Sequence, residues 1–311
     1  MTRADVQDVT ILMGVRNGAA HLDEQLDSFA AQQDVGWRLI ASDDGSVDGS
    51  RAILERFAAR FEQGRVSTID GPKCGFAANY LSMLRHLPPD PGALAFSDHD
   101  DVWLPERLKL GASALEGAEG PVLYCSRTFV TSKDLSRRRL ARGCPRPPGF
   151  RHALVQNVAA GNTILANPAA ARLLVAAARR TETVVAHDWW AYQIVTGAGG
   201  RLIFDDRPTL LYRQHGNNAI GANDGILAKF KRLGKLANGT MASWTDVNIE
   251  ALEAFASGLL PEERAVLAEF AAMRRDRNPL RRLRRARALG LYRQTRSSTL
   301  ALWLAVLAGW L

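Results

Sequence analysis

Apolar and polar positions follow two alternating rhythms along the first half of the chain. Val9 to Val15 is a compact apolar run of strand length, and His21 to Gln33 then places Leu22, Leu26 and Phe29 on one helical face. Trp37 to Ala41 is apolar again and breaks at Ser42, Asp43, Asp44 and Gly45. The unit recurs. Asp48 is placed to cap a helix bearing Ile53, Leu54 and Phe57, Val66 to Ile69 reads as a strand, Gly75 to Leu87 as a helix, and Ala93 to Phe96 as a strand ending at Ser97 and Asp98. Strict alternation of this kind predicts an α/β fold: a mostly parallel sheet with right-handed crossovers and helices on both sides.

Beyond Pro121 the pattern is mixed. Val122 to Ser126 reads as a strand, and a polar Arg-, Gly- and Pro-containing stretch from Lys133 to Pro148 reads as a loop on the acceptor side. Gly161 to Ala166 reads as a strand, Pro168 to Arg179 and His187 to Val195 as helices, and Leu202 to Phe204 and Leu210 to Arg213 as two further strands. After Asn223 the pattern is helical throughout, which divides the chain into a domain over 1–222 and a helical extension over 223–311.

At 311 residues and 47% hydrophobic, the chain is long enough for one large core with an appended piece. Its three cysteines, Cys74, Cys125 and Cys144, fit neither a disulfide framework nor a Cys-rich zinc site. The opening MTRADVQDVTILMG lacks the charged-then-apolar layout of a secretory signal, so a cytoplasmic location is expected. The net charge of +8 is concentrated: Arg274 to Arg296 holds ten arginines and one aspartate. The apolar run Leu300 to Leu311, with Trp303 and Trp310, follows it and is too short to cross a bilayer. This tail fits an anionic membrane surface, with docking on the protein's own core or a second subunit as the alternative. Nucleic acid is not expected, because the arginine run lacks interleaved stacking aromatics.

Candidate chemistry lies where strands end. Asp43, Asp44, Asp98, Asp100 and Asp101 all follow short apolar strands, at the edge where open parallel sheets bind ligands. Carboxylates crowded together raise one another's proton affinity unless cations or donors lie between them. Asp98-His99-Asp100 suits Mg²⁺ or Mn²⁺, which take hard oxygen ligands and leave places for phosphate oxygens. No Gly-x-Gly-x-x-Gly follows the first strand, and no Gly-x-x-x-x-Gly-Lys-Ser/Thr loop occurs, which disfavours dinucleotide and P-loop chemistry.

Three segments carry a resemblance together: Asn17 with the Ser42 to Ser50 block, Gly75-Phe76-Ala77-Ala78-Asn79, and Ser97-Asp98-His99-Asp100-Asp101-Val102-Trp103. In this order, over roughly residues 9 to 220, the chain resembles the family 2 glycosyltransferases of the GT-A fold, most of all bacterial rhamnosyltransferases of cell-surface polysaccharide synthesis. The resemblance implies a nucleoside-diphosphate sugar donor, a saccharide or lipid-linked saccharide acceptor, and inversion at the anomeric carbon. It implies that Val15, Arg16, Asn17, Asp44 and Asn79 hold the donor, with Asp98 near its ribose or phosphate and Arg213 neutralising the departing diphosphate. Asp100 would ligate the metal. His215 would join it there or donate to phosphate. Asp188, in His187-Asp188-Trp189-Trp190, matches the acid that deprotonates the acceptor hydroxyl; the rival role for it is a helix cap whose Trp neighbours are core. A non-catalytic scaffold of polysaccharide assembly is the alternative function, and the intact acid set speaks against it.

Overall fold

A computed structural model of the chain describes residues 8–214 and 239–311. The first half is built as its pattern predicts. Strands β1 (Asp8–Val15), β2 (Gly36–Asp43), β3 (Val66–Asp70) and β4 (Ala93–Asp98) pair in parallel in the order β3-β2-β1-β4, joined through helices α1 (Leu22–Ala30), α2 (Ser50–Ala58) and α3 (Phe76–His86). The central strand β1 is buried on both faces, which is why it reads as a continuous apolar run. Its side chains alternate between two cores: Leu12 joins one, while Val9, Ile11, Met13 and Val15 join the other against Leu22, Leu26 and Phe29 of α1 and Leu54 and Phe57 of α2. Each such fully buried aliphatic side chain contributes about 1.5–3 kcal/mol.

The second half extends the sheet with mixed pairing. After the two-residue β5 (Val102–Trp103) and α4 (Arg107–Leu115) come β6 (Val122–Thr131), β7 (Arg138–Leu140), the short α5 (Phe150–Ala153), β8 (Leu165–Ala166), α6 (Pro168–Ala178), α7 (His187–Gly197) and β9 (Arg201–Arg213). β8 lies antiparallel between β4 and β6, β6 runs parallel with β9, and β5 closes the edge antiparallel to β9. Three local expectations change. Gly161 to Ala166 is a single 3-10 turn, Gly161–Thr163, followed by the two-residue β8. Leu202 to Phe204 and Leu210 to Arg213 belong to one strand, carried across the polar Asp205-Asp206-Arg207-Pro208 by shifts of register against Ser126 to Phe129. The polar stretch after Thr131 contains a hairpin, with Phe129, Val130 and Thr131 opposite Leu140, Arg139 and Arg138.

Helices α8 (Thr240–Glu253), α9 (Pro261–Arg275), α10 (Pro279–Ala288) and α11 (Arg296–Ala308) form the extension. They bring no core of their own: Leu252, Phe270, Leu289 and Val306 share one apolar cluster with Leu123, Leu174 and Trp190 of the sheet domain. The extension also braces the chain that leads to α5, because Gln294 Oε1 accepts from Arg146 N at 2.9 Å and the Tyr292 hydroxyl donates to Pro147 O at 2.5 Å. The expected boundary at 222/223 lies outside the described residues.

Candidate active site

The carboxyl ends of β1, β2 and β4 meet at one edge. Asp44, just past β2, donates its backbone N–H to Val15 O at 2.8 Å, and its side chain accepts from Lys73 N at 2.6 Å and Gly75 N at 2.9 Å. The carboxylate thus pins the turn before α3, where Lys73 has φ 58° and Gly75 φ 91°. Each oxygen still has a second lone pair for a ligand. Asn17, at φ 50°, is held across the same cleft: its Oδ1 accepts from Val47 N, and its N–H donates to Ser46 Oγ, both at 2.9 Å. Arg16 and Asn17 are exposed and Val15 is buried. Asp48 is not the cap residue itself, which is Gly49, but its Oδ1 accepts from Ser50 N at 3.0 Å and its Oδ2 from Ala19 N at 3.0 Å, tying the β1 loop to the start of α2.

Asn79 is a correction to the expected donor set. It is 1% exposed and its amide is bonded to β2 within the fold: Nδ2 donates to Ser42 O at 3.0 Å and Oδ1 accepts from Ser42 Oγ at 2.5 Å. It locks α3 to β2 behind the cleft. Gly71 passes so close that a Cβ there would lie 2.8 Å from Asn79 Oδ1 and 2.9 Å from Asp44 Oδ1.

At the end of β4, carboxylate oxygens of Asp98, Asp100 and Asp101 lie within 4.8 Å of one another. Burial, with the charges of Asp100 and Asp188 added, lifts the Asp98 carboxyl to about 7. Burial, with the charges of Asp100 and Asp98 added, raises Asp101 well above the carboxylate range, although Asn162 Nδ2 donates to it at 2.5 Å and Arg213 N at 3.1 Å. The cluster therefore has a strong demand for positive charge, and three hard oxygen donors meet the needs of a divalent cation such as Mg²⁺ or Mn²⁺. Between the acids, His99 folds back so that its Nδ1 lies 3.2 Å from Gly14 O and its ring covers Gly18.

Asp188 faces this cluster from the first turn of α7, with its charge acting on Asp98. Burial lifts its carboxyl to about 6 even though Trp189 N, at 2.6 Å, and Gly161 N, at 3.1 Å, both donate to it. Trp189 and Trp190 point into the core, the former donating from Nε1 to Ala153 O at 2.6 Å. An aromatic group precedes the acid: the His187 ring stacks on Tyr80 with centroids 3.6 Å apart and meets Phe96 edge-on at 5.0 Å. Desolvation holds that imidazole down to about 3, so it is neutral at all working pH.

A family model described as glycosyl transferase family 2 matches residues 10–179, more than half of the chain. The chain belongs to this family. Over 232 residues it is 26% identical to the dTDP-rhamnosyl transferase RfbG of Shigella flexneri, covering 73% of this chain and 79% of that one. A shorter stretch of 109 residues is 32% identical to the putative glycosyltransferase EpsE of Bacillus subtilis (strain 168), covering 35% and 38% of the two chains. Among solved structures, residues 1–349 of S. aureus TarS in complex with UDP-GlcNAc superpose with a TM-score of 0.54 at 14% identity, covering 91% of this chain and 88% of that one. The fold is GT-A, and the chain is a glycosyltransferase.

Within the glycosyltransferase, Arg213 is placed at the acid cluster but is already committed. It is 2% exposed; its Nε donates to Asp100 O at 2.9 Å, its Nη1 to Lys133 O, and its Nη2 pairs with Glu24. This is a second correction: the guanidinium holds the Asp100-Asp101 turn to α1 and to the hairpin loop instead of reaching outward as a diphosphate ligand. His215 lies outside the described residues. Sequence reasoning missed Tyr80, whose hydroxyl donates to Ser97 O at 2.5 Å and lies 3.4 Å from Asp98 Oδ1. It also missed Asn162 and the fully buried Arg107, which stacks 3.8 Å over the Trp103 ring and donates to Asn162 O at 2.6 Å. None carries a motif, and Arg107 lies among Glu106 and Lys109 in sequence, where nothing marks it as buried.

Proposed function

We propose that this glycosyltransferase moves a sugar from a nucleoside diphosphate, dTDP-rhamnose by kinship with the Shigella relative, to a hydroxyl of a saccharide acceptor, with inversion at the anomeric carbon. The observation that carries the reading is the opposition of two acid groups on a family 2 frame: the Asp98-Asp100-Asp101 cluster after β4, and Asp188 at the start of α7. The acceptor is a saccharide or a lipid-linked saccharide, the latter presented at a membrane surface.

Val15, Arg16, Asn17 and Asp44 line the nucleotide side, where Asp44 has lone pairs left to accept from a ring N–H of the base. Asp100, with Asp98 and Asp101, would hold Mg²⁺ or Mn²⁺. A divalent ion there supplies Lewis-acid stabilisation of the charge that builds on the departing diphosphate. Arg213 and Asn162 act one layer back, fixing the carboxylates of the turn. Asp188 accepts the proton of the incoming hydroxyl as the new glycosidic bond forms and the bond to the diphosphate oxygen breaks. A carboxyl near 6 is ionised at neutral pH, yet more basic than an ordinary aspartate, which improves proton transfer.

Release of nucleoside diphosphate from dTDP-, UDP- and GDP-sugars tests the assignment. Turnover of dTDP-rhamnose, with Mn²⁺ or Mg²⁺ present and lost in a chelator, is the expected result. Turnover of another donor alone overturns the rhamnose assignment. Full turnover in the chelator overturns the metal.

A further inference from the structure

The C-terminal helices present a surface that the catalytic reading does not use. The apolar run 300–311 docks on the protein's own core along one stripe, Leu302, Ala305 and Val306, realising in part the alternative to membrane contact. Its other side is bare: Leu300 is 60% exposed and Leu304, one turn on, 58%. Trp310 is 41% exposed, and Leu280 at the start of α10 is 72% exposed.

Helices α10 and α11 are tied together end to end, because Arg282 donates to Val306 O at 2.8 Å and to Leu307 O at 2.6 Å. Both bury their inner stripes in the same apolar cluster, through Ala286 and Leu289 of one and Leu302 and Val306 of the other. Their outer stripes therefore form one face of the molecule. On α10 that face continues from Leu280 to Arg284 and Arg287, spaced four and three residues apart and all exposed. Beside it runs an open groove of about 550 Å³, lined by Arg275, Arg277, Arg281 and Arg285 with a single acid, Asp276. Asp276 pairs with Arg281 at 3.1 Å and reaches Arg285 at 4.0 Å, leaving an excess of positive charge.

We propose that this face is a docking surface for an anionic phospholipid bilayer: Leu280, Leu300, Leu304 and Trp310 enter the interfacial layer while the arginines meet lipid phosphates. Bare leucines on a cationic face favour a bilayer over nucleic acid, which would call for stacking aromatics among the arginines. No helix among the described residues is long and apolar enough to cross a membrane, so the contact is peripheral. The inference deepens the membrane-presented acceptor proposed above, but it stands on the C-terminal surface alone.

The test is flotation of the full chain with vesicles of phosphatidylcholine, with and without phosphatidylglycerol, in the absence of donor. The chain is expected to float with the anionic vesicles at low salt and to be released as salt is raised. Leu300→Ser with Leu304→Ser should weaken partitioning on the order of tenfold per leucine. Arg277→Gln with Arg284→Gln and Arg287→Gln, at about fivefold per arginine, should weaken it on the order of a hundredfold. All five positions are exposed, so circular dichroism and melting temperature should be unchanged, and turnover of soluble donor also. Failure to float at low salt overturns the proposal, as does flotation insensitive to both variants. A dimer in light scattering that the leucine variant converts to monomer assigns the face to a second copy instead. Binding to duplex DNA that only the arginine variant weakens, with no flotation, assigns it to nucleic acid. A chain that floats but turns over no nucleotide sugar would leave this surface standing and remove the catalytic reading.

Discussion

Replacing Asp188 by asparagine separates a proton acceptor from a structural cap, because the two roles leave opposite marks on rate and stability. The carboxyl is lifted from 3.8 to about 6 by burial, so ionised Asp188 destabilises the folded state by about 3 kcal/mol at a pH well above that value. The sign follows from linkage: a folded pKa above the unfolded one makes the carboxylate a burden that grows from about pH 4 and levels off above about pH 6. Asparagine removes that burden. It must also turn its amide N–H₂ toward Trp189 N or Gly161 N, which both donate to the native carboxylate, and losing one acceptor there costs about 1–3 kcal/mol. The variant should therefore melt below the wild type near pH 4 and at or above it near pH 8, a relative swing of about 2 kcal/mol. Transfer should fall on the order of a hundredfold or more, with donor KM nearly unchanged, and the loss of rate below about pH 6 should vanish with the carboxyl. The assay is steady-state transfer against pH beside thermal melts at the same pH values. A variant that retains transfer within a few-fold, or keeps the acidic limb, refutes the base assignment. One that melts lower at every pH refutes the desolvation argument.

Three further substitutions probe the opposite side of the cleft. Asp100→Ala should abolish metal-dependent turnover and flatten the rise in melting temperature on Mn²⁺ titration; for an intact site the underlying gain in stability is about 2.7 kcal/mol at a hundredfold excess over Kd. Arg213→Ala should destabilise the fold by about 3–5 kcal/mol in denaturant unfolding, because it strips partners from Glu24 and the Asp100 carbonyl and leaves the buried acid cluster without its guanidinium. A loss below 1 kcal/mol would contradict the positioning role. Gly71→Ala should raise donor KM and cost about 1–3 kcal/mol, since its Cβ falls 2.8 Å from Asn79 Oδ1 and 2.9 Å from Asp44 Oδ1, and the Asp44 turn must shift to admit it. Unchanged donor affinity, read by isothermal titration with nucleoside diphosphate, would place the nucleotide elsewhere.

By itself the sequence determined the alternating first half of the sheet, the placement of Asp44, Asp98 and Asp100 at strand ends, and the start of α7 at His187, which puts Asp188 in its first turn. These features are local: an apolar run of strand length, a helical stripe and a polar break are each encoded within a dozen residues. Tertiary structure alone decided the rest. Gly161 to Ala166 became mostly a turn because only two of its residues find partners, on β4 and β6. Two expected strands became the single β9 because β6 supplies a partner that shifts register across Asp205 to Pro208. Asn79 and Arg213 are braces, because both are buried and bonded to Ser42, Lys133 and Glu24, residues distant in sequence. The apolar tail divided into a docked stripe and a bare one according to which residues met the core. The raised proton affinity of Asp188 comes from how deep the first turn of α7 sits, while its tryptophan neighbours turn into the core. Residue type sets which contacts a side chain is able to make, but how deeply it is buried and which charges surround it are sums over the whole fold, and those sums have no local trace in the chain.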